Sequence, residues 1–164
     1  MKKNSKSQPE NSVAIQNARK ASIKHILSEL YICYDIIFDD LEDMSTPRNW
    51  VINNFPFFWW GKIDVKNVKN SQTFESCGRK YSYTELLKNF MHDNASKTVF
   101  VYLVWFDDWR PILRLKSTDV IEYLYEILED DEDVWIVCPE KGWCVEYHHI
   151  GELSFLLLEK KDPS

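Results

Sequence analysis

Four side chains near the end of the sequence have the types that do chemistry: Cys144, Glu146, His148 and His149, in the run WCVEYHHI. Successive side chains of a strand alternate between its faces, so Cys144, Glu146 and His148 would share one face. A thiol, a carboxylate and an imidazole on one face are the raw material of a transition-metal site, or of a cysteine nucleophile activated by a base. Either chemistry needs more than this spacing offers. There is no second histidine-bearing element at a defined distance and no group to orient the imidazole. The simpler expectation is a half-exposed polar strand face, with no catalytic residue, no metal and no cofactor. Cys144, Glu146, His148 and His149 then stand as an alternative site, for a small enzyme or ligand-binding protein. If the strand persists through His149, the two imidazoles point to opposite sides of the sheet.

The elements that must position these residues form a hairpin. Val134–Cys138 and Trp143–His148 alternate on either side of the turn PEKG. With Gly142 in a left-handed bulge position, Cys138 opposes Cys144, Val137 opposes Val145 and Trp135 opposes Tyr147, which puts Trp135 and Tyr147 on one core face. A Cys138–Cys144 disulfide is then conceivable. However, the four cysteines show no CxxC spacing and no secretory signal is recognisable, so free thiols in a cytoplasmic protein are expected. Further strands are expected at Val99–Phe106, Ile112–Leu115 and Leu153–Leu158, with a helix capped by Ser117 or Thr118 among them.

Upstream, helical apolar spacing runs from Val13 through Leu41 and stops before Pro47. Residues 45–80 read as irregular, with a short strand in KIDVKNV (Lys62–Val68). A capping-box signature at Ser82–Glu85 opens a helix to about Asp93. The fold class is therefore α+β: N-terminal helices followed by a mostly antiparallel sheet of about five strands with one inserted helix. Residues 12–160 make a single domain after a disordered basic tail, residues 1–11.

The net charge of −6 is unevenly spread. Residues 1–24 hold six basic side chains against Glu10, a balance of +5, which leaves −11 for the rest. An acidic body repels phosphate backbones, so nucleic acid is not an expected partner and a basic protein is. No apolar run reaches membrane-spanning length, so no membrane partner is expected. Asp39 and Asp40 belong to one acidic cluster, and Glu129, Asp130 and Asp131 to another, at the C-terminal ends of expected helices. There the helix dipole disfavours them, as a surface shaped to meet a basic partner would tolerate.

The most unusual stretch is FPFFWWG, Phe55–Gly61, with five aromatics in seven positions. That many rings cannot all point inward from an extended segment. Most of them are expected to plug the core edge, leaving Trp59 or Trp60 exposed as an interface anchor.

Trp135, Ile136, Val137, Trp143, Glu146, His148 and His149 together resemble the C-terminal pattern of small uncharacterised bacterial proteins, some of them candidate immunity proteins of toxin–immunity systems. The resemblance covers the last third of the chain, and here Ile150 stands where an acid usually follows the histidine pair. It implies a binding protein with no catalytic residue. The expected function is a non-enzymatic immunity protein docking a basic toxin domain through Trp59, Trp60 and the acidic clusters. The alternatives are the small enzyme or ligand-binding protein and a structural homo-oligomer subunit.

Overall fold

The computed structural model describes residues 27–37, 45–75, 81–94, 99–106, 111–128 and 133–159. The chain divides into two units, Met1–Ile32 and Cys33–Ser164. In the first, the described residues end a helical turn. Ile32 N–H donates to Leu27 C=O (2.9 Å), and Tyr31 stands at φ +55°, a left-handed conformation that stops a helix.

The second unit is built on one seven-stranded sheet, with every pairing antiparallel. The strands are β1 (Tyr34–Ile37), β2 (Asn70–Glu75), β3 (Phe100–Trp105), β4 (Ile112–Lys116), β5 (Val134–Cys138), β6 (Trp143–His148) and β7 (Glu152–Leu157). Their order is β1-β4-β3-β5-β6-β7-β2. The helices are α1 (Pro47–Asn54), α2 (Tyr81–Asn94), α3 (Ser117–Glu122) and α4 (Leu124–Ile127). The α+β expectation holds. The expectation of about five strands does not, since there are seven, and among the described residues helices and strands are interleaved after β1 rather than segregated. Of the helical stretch expected from Val13 to Leu41, residues 27–29 are helical, Tyr34–Ile37 form β1, and residues 13–26 and 38–41 lie outside the described residues.

The two strands beyond the expected five are the edges. Tyr34–Ile37 fits a helical stripe as well as a strand, and pairing with β4 (Tyr34 opposite Leu115, Ile37 opposite Ile112) decides for the strand. Asn70–Glu75 has one large apolar residue, Phe74, and is a strand because its backbone pairs along the whole of β7. The segment read as irregular also contains α1, which starts with Pro47 in its first turn and with Thr46 Oγ1 accepting from Asn49 N–H. KIDVKNV is not a strand: Ile63 makes an isolated bridge to Phe57, and Val65–Asn67 form a 3-10 turn. The helix expected from Ser82 is α2, which is described from Tyr81. Ser117 does not cap α3, since its hydroxyl accepts from Val99 N–H and ties the helix start to the entrance of β3.

Both faces of the sheet are covered, which is why β5 and most of β6 are buried at every position. One face carries Val104, Ile112, Trp135, Val137, Cys144 and Leu156, packed under α1 (Val51) and the segment with Phe55 and Ile63. The other face meets α2, where Phe90 stacks on Phe155 (4.4 Å) and lies edge-on to Trp143 (5.5 Å), and Tyr83 lies edge-on to Tyr147 (5.9 Å). No helix among the described residues is long and apolar enough to cross a membrane.

Candidate functional site: an anchored aromatic loop beside a histidine pair

The β5–β6 hairpin forms as expected, but its register is shifted by one residue. The connection Pro139–Lys141 is a 3-10 turn closed by Gly142 at φ +71°, so Cys138 pairs with Trp143, Val137 with Cys144, Trp135 with Glu146 and Val134 with Tyr147. A shift of one moves every partner to the other face. Trp135 and Tyr147 therefore lie on opposite faces, and so do Cys138 and Cys144, which are free thiols. Cys144, Glu146 and His148 do share a face, but not a half-exposed one. Cys144 and Glu146 are buried against Trp135 and Val137, under the aromatic segment.

Burial pushes the Cys144 thiol well up, and the neighbouring Glu146 carboxyl adds to the shift. Burial also raises Cys138. Neither can supply a thiolate nucleophile near neutral pH. In the folded protein iodoacetamide is expected to label Cys33, which is exposed, and to spare Cys138 and Cys144 until the protein is unfolded. Peptide mass spectrometry reads this directly, and a native adduct on Cys144 would contradict the assigned burial.

Glu146 has a structural task. Its Oε1 accepts from Ile63 N–H (3.0 Å) and from the Trp135 indole N–H (3.1 Å), while Oε2 is buried with no partner. Burial raises its pKa, against the opposing effect of the two N–H donors and of the Lys62 charge. The carboxyl thereby pins the aromatic segment to the middle of the sheet. The loop above it closes on itself through the Phe57–Ile63 bridge, Phe58 N–H to Lys62 C=O (2.9 Å), and Gly61 N–H to Phe58 C=O (3.0 Å). Gly61 is required twice over. Its φ is +100°, and a Cβ there would stand 2.5 Å from the Phe106 ring.

This geometry sorts the five rings. Phe55 is buried, Phe57 lies edge-on to Trp135 (5.6 Å), and Phe58 is half-buried. Trp60 stacks on Phe58 (4.6 Å, planes 3° apart) and Trp59 stands edge-on to Trp60 (5.5 Å). Trp59 is 92% exposed and Trp60 54%. The division into core rings and outward tryptophans follows the sequence expectation. The acidic candidates Asp39, Asp40, Glu129, Asp130 and Asp131 lie outside the described residues.

The histidine pair is arranged differently from the expectation. The strand ends at His148, and the turn through Gly151 (φ +87°) brings both imidazoles to the same side, stacked at 4.5 Å. Asp133 holds them together. Its Oδ1 accepts from His149 N–H (2.7 Å) and lies 2.8 Å from His149 Nδ1, and its Oδ2 lies 3.6 Å from His148 Nε2. Burial lowers the His148 pKa, partly offset by the Asp133 charge. Asp133 was missed because it closes the acidic run EDDED and reads as a solvated charge. The signal was available in the hairpin: extending the expected register puts Asp133 opposite His149, and extending the observed one puts it opposite His148, so either places it beside the pair. Lys62, from the aromatic loop, forms an ion pair with Glu152, the cross-strand neighbour of His148. The loop, Phe106 (whose N–H donates to Asp133 C=O) and the histidine pair thus meet at one end of the sheet.

The chain matches no protein-family model and no curated protein sequence. What the arrangement offers chemically is a rigid, outward aromatic tip and a carboxylate–imidazole cluster, not an activated nucleophile. The concave surfaces described lie elsewhere, one of them between β2, β7 and α2 around Phe74, Phe90 and Phe155, and Cys144, Glu146, His148 and His149 border none of them.

Proposed function

We propose that this is a non-enzymatic, cytoplasmic docking protein of the immunity type, which binds a basic protein through the aromatic loop. The observation that carries the reading is the exposure of Trp59 and Trp60 on a loop whose base is fixed to the sheet by Glu146. Pre-positioned tryptophans lose little freedom on binding and are frequent interface anchors. The excess of acidic residues after residue 24 speeds encounter with a basic partner, while the sealed rings set slow dissociation. A ligand-binding or catalytic site at Cys144 and Glu146 has less support, since both are buried and border none of the described concave surfaces.

The test is protection in cells. The product of the gene beside this one is expressed alone and together with this protein. The reading expects a toxic basic product, rescue of growth by this protein, and loss of rescue in the Trp59→Ala/Trp60→Ala double variant. That variant should retain its melting temperature, since exposed rings contribute within about 0.5 kcal/mol to folding. Rescue unaffected by removing both rings would overturn the docking surface. A chain that self-associates through Trp59 and Trp60 would favour the homo-oligomer instead.

A further inference from the structure

We propose that Asp133, His148 and His149 form a three-ligand site for a divalent ion of the zinc class, with the remaining coordination position left to water. One ligand atom from each of the three lies within 4.8 Å of the other two. They come from separate places: the residue leading into β5, the last residue of β6, and the turn into β7. The absence of a metal expected from Cys144, Glu146 and His148 rested on their having no converging partners. The structure converges a different set on His148.

Zinc binds imidazole nitrogen and carboxylate oxygen at about 2.0–2.2 Å, which in tetrahedral geometry puts ligand atoms about 3.4 Å apart. The Asp133 Oδ2–His148 Nε2 separation of 3.6 Å already fits. The Oδ1–Nδ1 separation of 2.8 Å to His149 is a hydrogen bond that would open slightly, and His149 is half exposed and has room to do so. Each imidazole must present a lone pair to the ion. His149 would carry its proton on Nε2. His148 would carry its proton on Nδ1 and give up a long contact from Ile150 N–H (3.5 Å). The local charge favours a cation. Asp133 is uncompensated by any described lysine or arginine ion pair, and the positive Lys62 is neutralised by Glu152. Two imidazoles and one carboxylate select zinc-like ions over magnesium or calcium, which prefer all-oxygen shells.

The test uses the full chain stripped with a chelator and titrated with Zn²⁺ by calorimetry, with metal content measured after dialysis. About one ion per chain is expected, together with a melting temperature that rises with Zn²⁺ concentration and is insensitive to excess Mg²⁺. His149→Ala and Asp133→Asn should each weaken binding by about tenfold or more while the metal-free protein stays folded by circular dichroism. His92→Ala, at an exposed histidine on α2, should leave binding unchanged. Absence of saturable binding, or affinity retained in both ligand variants, overturns the site.

Discussion

Replacing Trp135 by alanine is expected to destabilise the fold by about 3–5 kcal/mol, the usual range for a large buried aromatic. Trp135 sits on the central strand β5, almost fully buried, and three groups use it. Phe57 meets its edge at 5.6 Å, Phe106 tilts against it at 4.6 Å, and its indole N–H donates to Glu146 Oε1. Phe57 is held by its own bridge to Ile63, so it does not move freely into the gap. Trp135→Phe keeps part of the ring contacts but loses the hydrogen bond and one ring of the buried indole, so it should cost less than alanine, about 2–3 kcal/mol. Urea denaturation of the three proteins measures this. An alanine variant within about 1 kcal/mol of the parent would remove Trp135 from the core.

The second large effect is at Glu146. Glu146→Ala should destabilise by about 2–4 kcal/mol, because Ile63 N–H and the Trp135 indole N–H are left buried without an acceptor. Glu146→Gln should be far milder, since the amide oxygen can accept both bonds. The two variants also separate anchoring from charge. Burial raises the Glu146 pKa above its ordinary 4.5, so the fold favours the protonated carboxyl. The favourable contribution is fully present below about 4.5 and is lost as the pH rises through the raised value. Glutamine does not ionise, so Glu146→Gln should gain on the parent as pH rises through that interval. Hydrogen exchange at Ile63 N–H gives an independent readout, with protection lost in the alanine variant and kept in the glutamine one. Equal protection in both would mean that something other than Glu146 holds the loop. Trp135→Phe combined with Glu146→Ala should cost less than the two changes summed, because they remove the same bond.

The sheet was legible where side chains decide it. Residues 134–138 and 143–148 alternate so regularly that their pairing follows from pattern alone. Its edges were not legible, because Asn70–Glu75 is recruited through backbone hydrogen bonds that polar side chains do not advertise. Tyr34–Ile37 satisfies helical and strand periods equally until β4 is beside it. Register turned on the conformation around one glycine. The three residues before Gly142 coil into a 3-10 turn instead of a bulge, and that exchanged the faces of Trp135 and Tyr147. The exposure of Trp59 and Trp60 was readable from crowding, since five rings cannot share one inward side. The anchoring by Glu146 was not, because the hydrogen bond it accepts from Ile63 spans 83 residues. Nothing local marks a carboxylate as the peg for a distant loop.

The strand order has a consequence for how the chain is made. Both edge strands emerge from the ribosome long before the strands they need: Tyr34 waits for Leu115, and Asn70 waits for Leu157. Synthesis proceeds at about 5–20 residues per second, and through that interval β1 and β2 exist without partners. Of the pairings among the five strands between them, all but β3 with β5 join neighbours in sequence, while closing each edge brings together segments separated by most of the domain. The nascent chain therefore cannot build this sheet from its beginning. β1 can join once β4 is made, whereas β2, made before any of the five inner strands, has to wait for β7, the last strand of all.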